Sequence, residues 1–234
     1  MFDHDVWDRK GKASTIGQLD YVLAISVSFA IALVIFYTSA KYFSTILAGS
    51  DSTWTIVLAL IVGFVGMLLS SAMFTASNNP AVSGLGVASL AGSAGLLCSP
   101  TFLTVPGETI TFAAITTTCI FTSLSVVSIV ASLFGKLNTD SWGLPLMQLL
   151  GGLIVFQIIN IVLGSLTIIP PAMFSSGVGF MSWVTIILFT FYIIYDWNQA
   201  LKIDRTYDNA IDASGALLLD WLNIFLAIVN IKSK

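Results

Sequence analysis

An all-α membrane protein, a bundle of seven transmembrane helices, is the fold class that three features of the sequence predict. First, 56% of the 234 residues are hydrophobic and only 9% are charged. A soluble domain carries about 25% charged residues, so this chain lacks the polar surface that water demands. Second, no charge at all lies between Asp51 and Glu108, or between Asp140 and Asp196. A helical span takes roughly 20 apolar residues, so each gap is long enough for two. Third, turn signals and charges cut the apolar sequence into seven segments.

The first 20 residues, "MFDHDVWDRKGKASTIGQLD", are polar. They lack the apolar core of a cleavable signal peptide, so the first span is expected to act as its own targeting signal. That span covers residues 21–40 and ends at Lys41, a residue that can snorkel to the interface. Residues 54–76 form the second, closed by "SNNP", a strong turn signal. The third, 81–103, is rich in small residues that let helix backbones approach closely in lipid. The fourth covers 109–134 and is ended by "GKLNTD". Residues 142–169 make the fifth, which stops at Pro170-Pro171. The sixth starts near 172, and the seventh runs from about 211 to 231. No linker or repeat divides residues 21–234, which read as one transmembrane domain after a polar tail, 1–20.

Seven spans put the termini on opposite sides. Arg9, Lys10, Lys12, Lys136, Lys202 and Arg205 then share the N-terminal side, against Lys41, Lys232 and Lys234. That excess favours a cytoplasmic N-terminus. A bacterial plasma membrane is the favoured location, and an endoplasmic reticulum membrane is compatible with the same features. No basic run suggests nucleic-acid binding. Cys98 and Cys119 fall inside spans and the single His4 lies in the tail, a pattern that argues against a structural disulfide or metal site. No cofactor is expected.

Two acids interrupt the apolar end of the chain: Asp196 in "YIIYDWNQ" and Asp220 in "ALLLDWLNIF". An Asp at the middle of a span costs about 2.5–3.5 kcal/mol, while each Leu, Ile, Phe or Val returns roughly 0.3–0.6. Insertion is therefore feasible, but each acid needs a partner or water. The most turn-like stretch between the last two spans is "DRTYDNA", around Asp208. Asp196 precedes that residue by 12 positions and Asp220 follows it by 12, so the two are expected level in adjacent antiparallel helices. Asp220, Asn223, Ala227 and Asn230 follow a helical spacing, as do Ser182, Thr185, Tyr192, Asp196 and Gln199. At about 5 Å and an effective dielectric of 20, two such anions repel by roughly 3 kcal/mol, which favours one shared proton over two charges. The pair reads as a proton-sensitive latch, with Tyr192, Gln199 and Asn223 as hydrogen-bonding neighbours. The competing reading is that each acid simply bonds a neighbouring helix.

These same residues resemble the C-terminal signature of the Bax inhibitor-1 family, the transmembrane Bax inhibitor motif proteins. "NPAVSGLGVASLAGSAGLLCSPTF" is similar to that family's third span, and "TFAAITTTCIFTSLSVVSIVASLFGKLNTD" to its fourth span and following loop. The resemblance implies a seven-helix bundle with the last helix central. It also implies a calcium leak or cation permeation controlled by a pair of aspartates, which Asp196 and Asp220 match. Calcium is then the permeant ion, with the two acids as part of a shell completed by water and carbonyls, since calcium takes six to eight oxygens. Calcium-leaking bacterial relatives carry an Arg on the second span. This chain has none there, and Ser70, Ser71 and Thr75 offer neutral hydrogen bonds instead.

Two other functions compete. An intramembrane aspartyl protease also carries a Tyr-Asp on one helix and an Asp on the next, activating water for hydrolysis. Tyr195-Asp196 fits the first half of that pattern, but Leu217-Leu218-Leu219 replaces the glycines before the second Asp. No nucleophile–base pair stands out, and the expectation is a protein that is not an enzyme. The other competitor is a non-conducting protein whose partners are membrane proteins, with the lipid bilayer as its surroundings. Glu108, after Pro106-Gly107, reads as a helix N-terminal acid. Trp142, Trp183, Trp197 and Trp221 read as interface or packing residues.

Overall fold

The computed structural model describes residues 15–50, 52–135, 137–165 and 171–233. They form seven helices: α1 Gln18–Ala48, α2 Thr53–Ala76, α3 Pro80–Thr104, α4 Gly107–Leu133, α5 Gly143–Ser165, α6 Pro171–Ala200 and α7 Tyr207–Lys232. Six are long and apolar enough to cross a membrane, and α5 contributes a shorter apolar stretch, Gly143–Ile159. The chain is a multi-pass membrane protein. The expected fifth span reaches residue 169, and residues 166–169 lie outside the described ones, as do the tail residues 1–14 with His4.

Two expected boundaries are corrected. The first helix does not stop at Lys41, which is an exposed residue within it. "YFSTILA" contains no breaker, and α1 runs on to Gly49, whose amide bonds back to the Ile46 carbonyl. The second correction concerns the last turn. "DRTYDNA" is not centred on a turn at Asp208; it starts a helix. Thr206 Oγ1 accepts from the Asn209 amide at 3.1 Å, the bond of an N-cap residue. Asn209 Nδ2 donates to the Asp204 carbonyl at 2.7 Å. Asp208 therefore sits in the first turn of α7, where the helix dipole favours an anion.

The residues gather into two compact units. One comprises Met1–Gly107 with Ala200–Leu219, the other Glu108–Gln199 with Asp220–Lys234. In the first unit, α3 packs against both α1 and α2. The buried residues of α1 recur every three or four positions from Tyr21 to Leu47, one face of the helix. Glycines set the closeness of these contacts. A Cβ at Gly95 would stand 2.6 Å from the Phe36 carbonyl oxygen and 2.8 Å from the Ala40 nitrogen, and one at Gly86 2.9 Å from the Phe74 nitrogen. Backbone meets backbone there, as the small residues of the third span predict. Ser39 Oγ adds a 2.7 Å bond to the Gly92 carbonyl. Outward-facing Ser26 and Thr38 instead bond their own helix, at the Val22 and Val34 carbonyls, so these two donors are not left bare in lipid.

In the second unit, α4 ends at Leu133, and the turn after it contains Gly135, whose φ of 62° is the left-handed conformation that glycine adopts freely. The loop that follows is pinned to α6 by Asn198, 1% exposed. Its Oδ1 accepts from Thr139 Oγ1 at 2.8 Å. Its Nδ2 donates to Ser132 Oγ at 2.9 Å and to the Leu137 carbonyl at 3.2 Å.

Candidate intramembrane acid site

Asp196 and Asp220 are both buried, 7% and 3% exposed, and both belong to the second unit. The two carboxyl groups lie close enough to act on each other. The expected reason for their meeting does not hold. Asp196 lies four residues before the end of α6 (196 to 200), whereas Asp220 lies thirteen after the start of α7 (207 to 220). The two are not equidistant from the connection, so their contact reflects an offset between the helices rather than equal counts.

Each acid is followed by a tryptophan that anchors it to α4. Trp197 Nε1 donates to Ser125 Oγ at 2.8 Å, and Trp221 Nε1 donates to Thr118 Oγ1 at 3.3 Å. Thr118 and Ser125 are seven residues apart, two turns along α4. One face of α4 thus grips the residue after each acid, and Asn198 fixes α6 two residues beyond Asp196. Trp221 also stacks on Phe225, with ring centroids 5.1 Å apart and planes 9° apart. Both tryptophans are buried packing residues, whereas Trp183 is 57% exposed. Trp142 packs edge-on to Phe191.

One oxygen of the site, Asp220 Oδ2, is buried and has no hydrogen-bond partner. A buried polar atom left so costs about 1–3 kcal/mol, a cost that a water or cation would relieve. The described residues contain no group of three or more His, Cys, Asp or Glu suited to a metal. A cation here would have two carboxylates and otherwise neutral oxygens.

The neighbours expected to support the pair are placed unevenly. Tyr192 is buried one turn before Asp196, and its ring stacks on Phe189 at 5.4 Å. Gln199 and Asn223 are half-buried, and Asn230 is exposed, so the far end of the expected polar stripe faces outward. Glu108 is exposed in the first turn of α4. On α2, Ser70 is buried, and Thr75 bonds the Ser71 carbonyl within its own helix at 2.7 Å.

Among the buried polar residues to which sequence reasoning gave no site role are Asn198, Asp208 and Asp212. Asp208, 4% exposed, accepts from Ser83 Oγ at 2.8 Å. Asp212 is 1% exposed. A signal existed for two of them, because positions 208 and 212 stand four apart and so share one side of a helix.

Residues 21–234 match the family described as "Inhibitor of apoptosis-promoting Bax1". A search of curated proteins finds no match. With all but the polar tail inside the matched region, the chain belongs to the Bax inhibitor-1 family.

Proposed function

We propose that the protein is a pH-sensitive cation leak of the Bax inhibitor-1 type, with calcium the leading ion and Asp196 and Asp220 as its gate. The observation that carries this reading is the contact between two buried carboxyl groups. An ionised carboxylate only accepts hydrogen bonds, so two carboxyls this close attract each other only while one of them holds a proton. Remove that proton and two anions face each other. At about 5 Å they repel by roughly 3 kcal/mol at an effective dielectric of 20, enough to shift a two-state helix arrangement more than a hundredfold. The anchored tryptophans hold both acids in place while the proton comes and goes. The unsatisfied Asp220 Oδ2 is a ready oxygen for a passing ion.

The burial of α7 supports placing it at the middle of a seven-helix bundle: 67% of its span is buried, against 17–44% for the other five spans. The distribution of Lys and Arg supports a cytoplasmic N-terminus, in a bacterial plasma membrane as the favoured location or an endoplasmic reticulum membrane as the alternative.

Calcium flux into dye-loaded proteoliposomes across pH 5 to 8 tests the proposal. Wild type is expected to show a pH-dependent leak, and Asp196→Asn and Asp220→Asn each a flattened pH response, since an amide cannot titrate. Flux and pH response unchanged in both variants would remove the latch.

A further inference from the structure

The glycines of α3 do two different things. At Gly95 and Gly86 a Cβ would strike backbone atoms of α1 and α2, but at Gly84 it would meet nothing within 4 Å. The free space at Gly84 belongs to a cavity of about 130 Å³ inside the first unit. Ala32 of α1, Val87 of α3 and Ile211 of α7 also line it. Ala32 and Val87 are 2% and 4% exposed, whereas Ile31, at its edge, is 56% exposed. The cavity is therefore a groove that opens on the outward face of α1. Ser28 supplies the one polar side chain in its wall.

We infer that this groove holds one acyl chain of a bilayer phospholipid. A single hydroxyl offers an ion or a water too little, since a buried water makes about three hydrogen bonds. The size suits hydrocarbon. An apolar cavity of about 150 Å³ stays dry and takes benzene, so this one, at about 130 Å³, admits a chain segment of about six carbons. Position supplies that hydrocarbon. The groove is continuous with the apolar outer face of α1, where Leu23, Val27, Ile31 and Val34 are 48–63% exposed. In a multi-pass membrane protein such a face meets acyl chains, which are as apolar as the side chains themselves. Depth identifies the leaflet. Gly84 lies four residues into α3 (80 to 84) and Ile211 four into α7 (207 to 211), about 6 Å down each axis. One leaflet contributes about 15 Å of hydrocarbon, half of the bilayer core. The chain therefore comes from the leaflet in which α3 and α7 begin, and it touches both of them and α1 at once.

Occupancy of the groove is read without flux, so it stands or falls apart from the leak. Full-length protein is reconstituted in phosphatidylcholine vesicles containing a trace of phosphatidylcholine with a photoactivatable diazirine in one acyl chain. After irradiation, peptide mass spectrometry locates the labelled residues. Wild type is expected to carry label on buried Ala32 and Val87, which a chain reaches only by entering the groove, as well as on exposed Leu69 of α2. Gly84→Leu fills the groove and should lose the label on Ala32 and Val87 while keeping that on Leu69. A Cβ at Gly84 meets nothing, so this variant should melt no lower than wild type. Should it fail to fold, Ala88→Leu fills the same groove from one turn further along α3 and is judged by the same residues. Wild-type label confined to exposed residues overturns the inference, and a dimer on size-exclusion would then assign the face to a second copy of the chain. Label on Val87 that survives filling overturns it as well.

Discussion

Helices α2 and α7 are both long and apolar enough to cross a membrane, and they invert the rule that holds in water. The more apolar of the two is α2, with a mean hydropathy of 2.5 against 1.7, yet only 17% of its span is buried against 67% for α7. Leu58, Phe64 and Leu69 of α2 are more than half exposed, while Asp208, Asn209, Asp212, Ser214 and Asp220 of α7 are almost wholly covered. In lipid, an exposed Leu loses nothing, because acyl chains are as apolar as the protein interior. Polar groups are what must be hidden, since each one facing hydrocarbon carries a penalty of several kcal/mol. Burial in this chain therefore follows polarity. The two least hydrophobic spans, α3 and α7, are the best covered.

The comparison breaks most visibly at the few places where α2 does need protein. Its buried residues are Ala59, Gly63, Ser70 and Phe74, one narrow stripe. A Cβ at Gly63 would stand 2.9 Å from the Leu97 nitrogen and 3.1 Å from its Cα. Backbone atoms cannot rotate away, so Gly63→Leu must push α2 off α3. A loss of about 3 kcal/mol is expected, the upper range for overpacking, seen as a fall in the melting midpoint and in monodisperse yield from detergent. A variant as stable as wild type would mean that α2 is held by lipid alone.

How much of this was legible in the sequence differs by level. Helix number and the close packing of α3 could be read from charge gaps and from runs of Gly, Ala and Ser, because both are local properties of the chain. Family membership was legible in the "YDWNQ" and "LLLDWLN" blocks. Asp208 was misread as a turn because an Asp beside Thr and Asn signals a turn and a helix start equally well. What separates the two is Ser83, 125 residues away, and no local pattern contains it. Asn198 was passed over for a similar reason: its partners Ser132, Leu137 and Thr139 belong to another helix end. The offset between α6 and the later half of α7 was also hidden, since it depends on where Thr206 starts the helix.

A matched pair of substitutions sharpens the contrast directly. Leu218 of α7 is 0% exposed, and Leu69 of α2 is 68% exposed. In water, Leu→Ala in a core costs about 2–5 kcal/mol, part of it transfer and part the cavity left behind. In a membrane the transfer part largely vanishes, so Leu218→Ala should cost roughly 2 kcal/mol, the lower end of that range. Leu69→Ala opens no cavity, because lipid fills the space, and should stay within about 0.5 kcal/mol of wild type. Thermal unfolding of both variants in the same micelles reads the difference. Equal losses would show that the exposed face of α2 is covered by something other than lipid.

The smallest effect expected is at the tryptophans beside the acids, and it separates hydrogen bonding from packing on α7 itself. Trp221→Phe removes a 3.3 Å indole bond to Thr118 but keeps an aromatic ring stacked on Phe225. Interhelical hydrogen bonds in membranes average about 0.6 kcal/mol, so a shift of that order is the ceiling for this long one. Trp197→Phe removes a shorter bond, 2.8 Å to Ser125, and should shift the melting midpoint more. The order matters beyond stability. Trp197 adjoins Asp196, and a freed α6 would let that carboxyl drift from Asp220, so under the proposed leak Trp197→Phe should also broaden the pH response of flux while Trp221→Phe leaves it sharp. If both variants broaden it equally, α4 grips the two acids as a unit and the 0.5 Å difference in bond length carries no functional weight.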